Sequence, residues 1–281
     1  MDRASVEARL EDLVAENRFT IAVVFPAVGA LLLVGSAEGW VPEPLAFQPT
    51  MILFGTAVMR LPLIVGVLPL LDRRAGIGLL GLTGYAYGIE LVGVHTGFPY
   101  GEFSYLIELG PMMLEAVPLG LPVFFLPLVL NAYLLVLLLA GDAAGSAPIR
   151  LGGTLGTVLA MDLVLDPGAV GLGFWTYAAD GAYYGVPASN YLGWVLSGAI
   201  SVLVFDRVLH IDGLLDRLGD CPFMLDDMVS FVILWGGVNL YFGQLLPAGV
   251  ALALGGGLLA TDRFDFSVRP RGVLELGLDR R

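Results

Sequence analysis

The chain has 281 residues, 57% of them hydrophobic and only 14% charged, with 14 basic against 26 acidic side chains and a formal net charge of −12. Soluble domains carry about 25% charged residues, so a single water-soluble core is excluded and an integral membrane protein is indicated. All the basic residues are Arg, with no Lys and no basic patch to neutralise phosphates, which excludes nucleic-acid binding. An acidic, Lys-free chain fits a proteome adapted to high salt, where screening tolerates self-repulsion. GC-rich coding, which favours Arg over Lys, is the competing explanation. The single Cys221 excludes an intrachain disulfide, and no Cys/His spacing suits a metal.

In chain order, residues 1–18 (MDRASVEARLEDLVAENR) read as a short amphipathic cytosolic helix and not as a signal peptide. Apolar segments follow over 19–37, 49–71, 76–95, 117–140, 151–166, 190–209, 224–243 and 247–261. The predicted fold is all-α, a polytopic membrane helix bundle of about eight spans, with seven as the alternative. The fifth and eighth segments are short against the roughly 20 residues a span needs. The transmembrane part covers 19–262 and a tail covers 263–281.

Arg residues alternate with the spans. Arg3, Arg9 and Arg18 precede span one, Arg73 and Arg74 follow span two, Arg150 follows span four, Arg207 and Arg217 follow span six, and five more follow span eight. The other connections, 38–48, 96–116, 167–189 and 243–247, hold none. The positive-inside rule then places both termini in the cytoplasm of a multi-pass cell-membrane protein.

Two Arg-free connections are long and rich in polar and aromatic chemistry. One is HTGFPYGEFSYLIELGP (95–111); the other lies within MDLVLDPGAVGLGFWTYAADGAYYGVPASNYLGW (161–194). Phe98, Tyr100, Phe103, Tyr105, Trp175, Tyr177, Tyr183 and Tyr184 cluster in these two loops beside carboxylates. An ordinary interfacial aromatic belt would be spread over all helix ends.

The apolar segments also contain ionisable groups: Arg60, Glu90, Asp162 and Asp166, with Asp226 and Asp227 opening span seven. Such groups are costly in a membrane and mark functional sites by default. Each has a plainer explanation. Arg60 can pair with Glu90 or Asp162, Asp166 can end its helix ahead of Pro167, and Asp226 and Asp227 can be helix caps. Asp162 and Asp166, four apart, share a helix face. Buried carboxylic acids beside aromatic rings suit one chemistry: an acid protonates an electron-rich double bond, and ring faces stabilise the carbocation. The candidate catalytic groups are Asp166, Asp162, Glu90, Glu102 and His95. The candidate substrate-binding groups are Tyr100, Tyr105, Trp175, Tyr177, Tyr183, Tyr184, Asn190, Trp194 and Arg60.

TGFPYGEFSY, MDLVLDP and YYGVPASNYLGW resemble the carotenoid-biosynthesis membrane proteins, and the resemblance runs over roughly residues 20–265. The run YYGVP-x-x-N-x-x-GW is its most specific part. The stretch after Pro118, LGLPVFF, departs from the family by lacking a Trp. The resemblance implies a hydro-lyase that adds water to the terminal C=C bonds of an acyclic C50 carotenoid, converting bisanhydrobacterioruberin to bacterioruberin. It implies no organic cofactor. The implied partners are carotenoid, water, the lipid bilayer and other enzymes of the same biosynthesis.

A carotenoid end-group cyclase would begin with the same protonation. A prenyltransferase needs more than the lone LDDM for Mg-diphosphate, and a retinal protein needs a Schiff-base Lys that this chain lacks. A transporter, with a midplane polar site such as Arg60, is the non-enzyme alternative.

Overall fold

The computed structural model describes residues 2–179 and 181–261, and the predicted tail 263–281 lies outside the described residues. The Asp2 carboxylate caps the first helix by accepting from the Ser5 N–H at 2.9 Å. α1 (Arg3–Phe19) then runs through a widened turn at Thr20–Val24 into α2 (Phe25–Ala37). The predicted cytosolic segment and first span are thus one rod of 35 residues. At 1.5 Å per residue this is about 52 Å long, more than the roughly 30 Å hydrocarbon core.

The bundle continues with α3 (Pro49–Val67), α4 (Arg73–Thr96), α5 (Leu121–Ala140), α6 (Ala147–Leu172) and α7 (Ala188–Val208). Among the described residues six helices, counting the α1–α2 rod as one, are long and apolar enough to cross a membrane. α9 (Asp226–Tyr241) and α10 (Leu245–Ala260) have 16 residues each and stay short of a full span. Between α7 and α9 lies a helix that the apolar segments did not predict, α8 (Ile211–Asp220). It buries Leu214 and Leu218 and exposes Asp212, Asp216 and Asp220, the pattern of a helix lying along an interface.

The fifth segment differs from expectation. α6 has 26 residues and passes straight through Pro167, so Asp166 sits inside a helix and does not end one. A proline has no N–H, which strips the carbonyl four residues earlier of its helical donor. Here that carbonyl, Leu163, accepts from the Tyr183 hydroxyl at 3.3 Å. Asn239 Nδ2 donates to the Val164 carbonyl at 2.8 Å and Gln244 Nε2 to that of Pro167 at 3.1 Å. Neighbouring side chains thus carry the helix past its proline.

α5 meets the same problem. Pro127 leaves the Val123 carbonyl without its helical donor, and Arg60 Nε reaches it from α3 at 3.3 Å. Arg60 Nη1 also pairs with Asp227 of α9 at 2.5 Å, and Asn131 Nδ2 donates to the other Asp227 oxygen at 2.7 Å. Arg60 therefore pairs with neither Glu90 nor Asp162. Asp226 is bound by Arg18 at 2.7 Å, so both aspartates that open α9 are tied to another helix and are not simple caps. Arg150–Asp206 and Arg217–Glu11, both 2.5 Å, join further elements.

Candidate active site

At the other end of the bundle, β1 (Phe103–Tyr105) pairs antiparallel with β4 (Trp175–Tyr177). The two motif loops are thereby stitched together. Phe103 faces Tyr177, Ser104 faces Thr176 and Tyr105 faces Trp175. Backbone bonds from Leu106 N to Phe174 O and from Ala178 N to Glu102 O, both 2.9 Å, extend the ribbon. Strand side chains alternate between faces: Ser104 and Thr176 are exposed, and the four rings point inward. Phe103 and Tyr177 have centroids 6.2 Å apart, Tyr105 and Trp175 6.3 Å, and Phe103 and Tyr105 5.7 Å. A second, smaller hairpin, β2 (Met112–Met113) with β3 (Val117–Pro118), follows in the first loop.

Beneath this aromatic roof is a cavity of about 130 Å³. Its walls are Ala86, Ile89 and Glu90 of α4, Leu121, Phe124, Phe125 and Leu128 of α5, Leu165 and Asp166 of α6, Asn190 and Trp194 of α7, and Trp235 of α9. The LGLPVFF stretch thus supplies Phe124 and Phe125, and Phe125 stacks on Trp194 at 5.6 Å and 24°. Tyr100 packs against α7 so tightly that a Cβ at Gly193 would lie 2.4 Å from its Cδ1, which makes glycine a requirement there. The Tyr100 hydroxyl shares a hydrogen bond of 2.7 Å with Ser197.

Two carboxyl groups reach the cavity, and the ribbon lends a phenol to each. Tyr105 OH donates to Glu90 Oε1. Tyr177 OH donates to Asp166 Oδ2 at 2.9 Å. Asn190 Nδ2 donates to the same Asp166 oxygen at 2.5 Å and to Asp162 Oδ2 at 3.2 Å. Burial pushes the Tyr105 and Tyr177 phenols well above the ordinary tyrosine range, and the adjoining Glu90 and Asp166 add to this. Both phenols therefore keep their protons and remain donors. Among the described residues no Arg or His forms an ion pair with Glu90, Asp162 or Asp166. The Arg ion pairs among the described residues go to Glu7, Asp226, Asp227, Asp206 and Glu11 instead.

The structure thus brings Glu90, Asp166, Tyr100, Tyr105, Trp175, Tyr177, Asn190 and Trp194 around one cavity. Asp162 lies behind Asp166, fully buried and off the wall, with its Oδ1 unpartnered. The remaining candidates are elsewhere. His95 is exposed and its Nδ1 bonds the Leu91 carbonyl of its own helix at 2.8 Å. Glu102 is exposed at the ribbon edge. Tyr183 and Tyr184 pack edge to face at 5.0 Å; the first mends the Pro167 gap and the second accepts from the Leu246 N–H at 3.4 Å. Arg60 is tied to Asp227. Phe125, Phe174 and Trp235, which the sequence reading passed over, complete the wall. Each lies in or beside an apolar run, where one more aromatic ring carries no signal of its own.

Fold and site together define a polytopic helical membrane protein with an acid-bearing, aromatic-walled cavity at one end of its bundle. The chain belongs to the carotenoid biosynthesis protein family, whose pattern it matches over residues 47–258. It is 62% identical over 266 residues to the bisanhydrobacterioruberin hydratase of Haloarcula japonica, covering 95% of this chain and 90% of that relative. No solved structure matches the chain.

Proposed function

We propose that this protein is a carotenoid hydratase, a hydro-lyase that adds water to the terminal C=C bonds of an acyclic C50 carotenoid and turns bisanhydrobacterioruberin into bacterioruberin. The name of the Haloarcula relative supports the substrate. The observation that carries the chemistry is the pair of phenol-held carboxyl groups, Glu90 and Asp166, in one apolar cavity.

Asp166 is assigned the acid. Tyr177 and Asn190 both donate to its Oδ2, which reserves Oδ1 for the transferable proton. That proton and the π electrons of the terminal alkene form a C–H bond, leaving a tertiary cation beside the ring faces. Glu90, half-buried and held at one oxygen by Tyr105, takes a proton from water as the water oxygen forms the C–O bond. Returning that proton to Asp166 closes the cycle, with one water added. Hydration is favoured over cyclisation by the name of the 62% identical Haloarcula relative, a hydratase. The Arg pattern supports a cell-membrane orientation with cytoplasmic termini and the aromatic ribbon facing outward.

The test is the product mass after purified protein is incubated with the acyclic carotenoid. A gain of one water per reacted terminus is expected; an altered pigment of unchanged mass would indicate the cyclase.

A further inference from the structure

Asp162 is a buried carboxyl group that the proposed chemistry leaves unused. It sits one turn before Asp166 on the same face of α6, is 0% exposed and stays off the cavity wall. Taking a carboxyl out of water costs a fold, and inside a membrane such a group marks function by default. Among the described residues no Arg or His forms an ion pair with it. Its Oδ1 meets no partner, and its Oδ2 accepts from Asn190 Nδ2 at 3.2 Å. The same nitrogen donates to Asp166 Oδ2 at 2.5 Å. Asp162 is thus joined to the assigned acid through one amide group.

An asparagine amide has two ends of nearly equal shape: an NH2 group with two hydrogens to give, and a carbonyl oxygen that only accepts. The end that faces Asp166 matters for proton transfer. With the NH2 group toward it, the amide supports the carboxylate that remains once the alkene has taken the proton. With the carbonyl toward it, the amide would accept the acid proton and hold it back. Asp166 by itself accommodates either end, because a carboxylic acid has both an O–H and an acceptor oxygen. Asp162 decides between them. Its Oδ2 is an acceptor for the second hydrogen, so both hydrogens of the NH2 group are engaged when it faces the two aspartates. Asn190 is 3% exposed, so a hydrogen left without that acceptor has no bulk water to turn to.

Building on the hydratase reading, we propose that Asp162 is a positioning residue: it holds the Asn190 amide with its NH2 group toward Asp166, and so leaves that acid free to give its proton to the alkene. Asp162 itself neither gives nor takes a proton in the reaction. The hydrogens of Asn190 stay on their nitrogen throughout, and the proton balance is the one set out for Asp166, Glu90 and water.

The experiment measures hydration of the acyclic carotenoid by purified D162V, D162N, N190L and D162V/N190L beside the unsubstituted protein. Valine is close to aspartate in size and accepts no hydrogen bond, so kcat of D162V should fall about 10- to 100-fold with KM within about twofold. D162N removes the acid and restores an acceptor oxygen, so it should hydrate within about threefold of the unsubstituted rate. N190L should be slowed about as much as D162V, and adding D162V to N190L should change the rate by less than about twofold, because the amide through which Asp162 acts is already gone. Should D162V fail to fold, D162A takes its place with the same expectations. Normal hydration by D162V, or a loss carried by KM, would overturn the proposal. So would D162N as slow as D162V, which would mean that the carboxyl proton itself is needed. A further loss of about tenfold on adding D162V to N190L would also overturn it, because Asp162 would then act by another route. If the unsubstituted protein adds no water to any acyclic carotenoid, the hydratase reading itself fails. If it hydrates normally and one of the contrary results appears, the positioning role alone falls.

Discussion

Tyr177 and Asp166 are 11 residues apart in the chain, and the phenol of one donates to the carboxyl of the other at 2.9 Å. The ribbon makes this possible by folding the residues after α6 back over the bundle end. Tyr105 does the same for Glu90 from the other strand. A hydrogen bond to a charged group is worth about 1.5–3 kcal/mol. Y177F and Y105F are each expected to lower the hydration rate about 10- to 100-fold while leaving carotenoid binding, followed by its absorption shift, within about twofold. A loss of binding that matches the loss of rate would mean that these rings serve only as walls.

Arg60 is expected to matter for stability and not for chemistry. It is buried, paired with Asp227 and bonded to the carbonyl stranded by Pro127. Removing one partner of a buried pair costs about 3–5 kcal/mol. R60M should therefore unfold at markedly lower temperature in detergent, and R60M/D227L should recover much of the loss. The folded double variant should hydrate normally. A raised KM with full stability would place Arg60 at the substrate after all.

The orientation is testable with single cysteines. Ala179, beyond the ribbon, and Ala143, in the turn Gly141–Gly145 at the opposite end, are both exposed, whereas the native Cys221 is 3% exposed. In intact cells an impermeant maleimide should label A179C, and A143C only after lysis. Labelling of A143C from outside would reverse the proposed topology.

A symmetric carotenoid has two ends, and the proposed site lies at one end of the bundle. One terminus should react per binding event, so singly hydrated pigment should accumulate early and then decline. Its share should rise when substrate is in excess, because fresh pigment competes with rebinding. Doubly hydrated product from the first turnover, with no singly hydrated species at any ratio, would contradict release between the two steps.

The helical bundle and the aromatic, carboxylate-rich character of the two loops were legible because hydropathy and local composition are carried by consecutive residues. The joining of the loops was also present, in FSY and WTY, each with a small hydroxylated residue between two rings, yet three-residue strands are too short for a periodic signal. What stayed hidden depends on distant partners. Asp166 ahead of Pro167 reads as a helix end until Tyr183, Asn239 and Gln244 are seen repairing the backbone around it. Arg60 reads as an intramembrane site until Asp227, 167 residues away, is found beside it. His95 and Glu102 lie in the right motif and point to solvent, a distinction that loop composition does not encode.

In the proposed mechanism Asp166 and Glu90 together add water to the alkene. This is tested most directly by incubating purified protein, D166N and E90Q with the unhydrated carotenoid in ¹⁸O-water and weighing the pigment. The unsubstituted protein should give pigment carrying one labelled hydroxyl per reacted terminus. Each amide variant, still folded and still binding pigment, should be slower by about 10²- to 10⁴-fold, the usual contribution of a general acid or base. Labelled product formed at the normal rate by both D166N and E90Q would contradict the account.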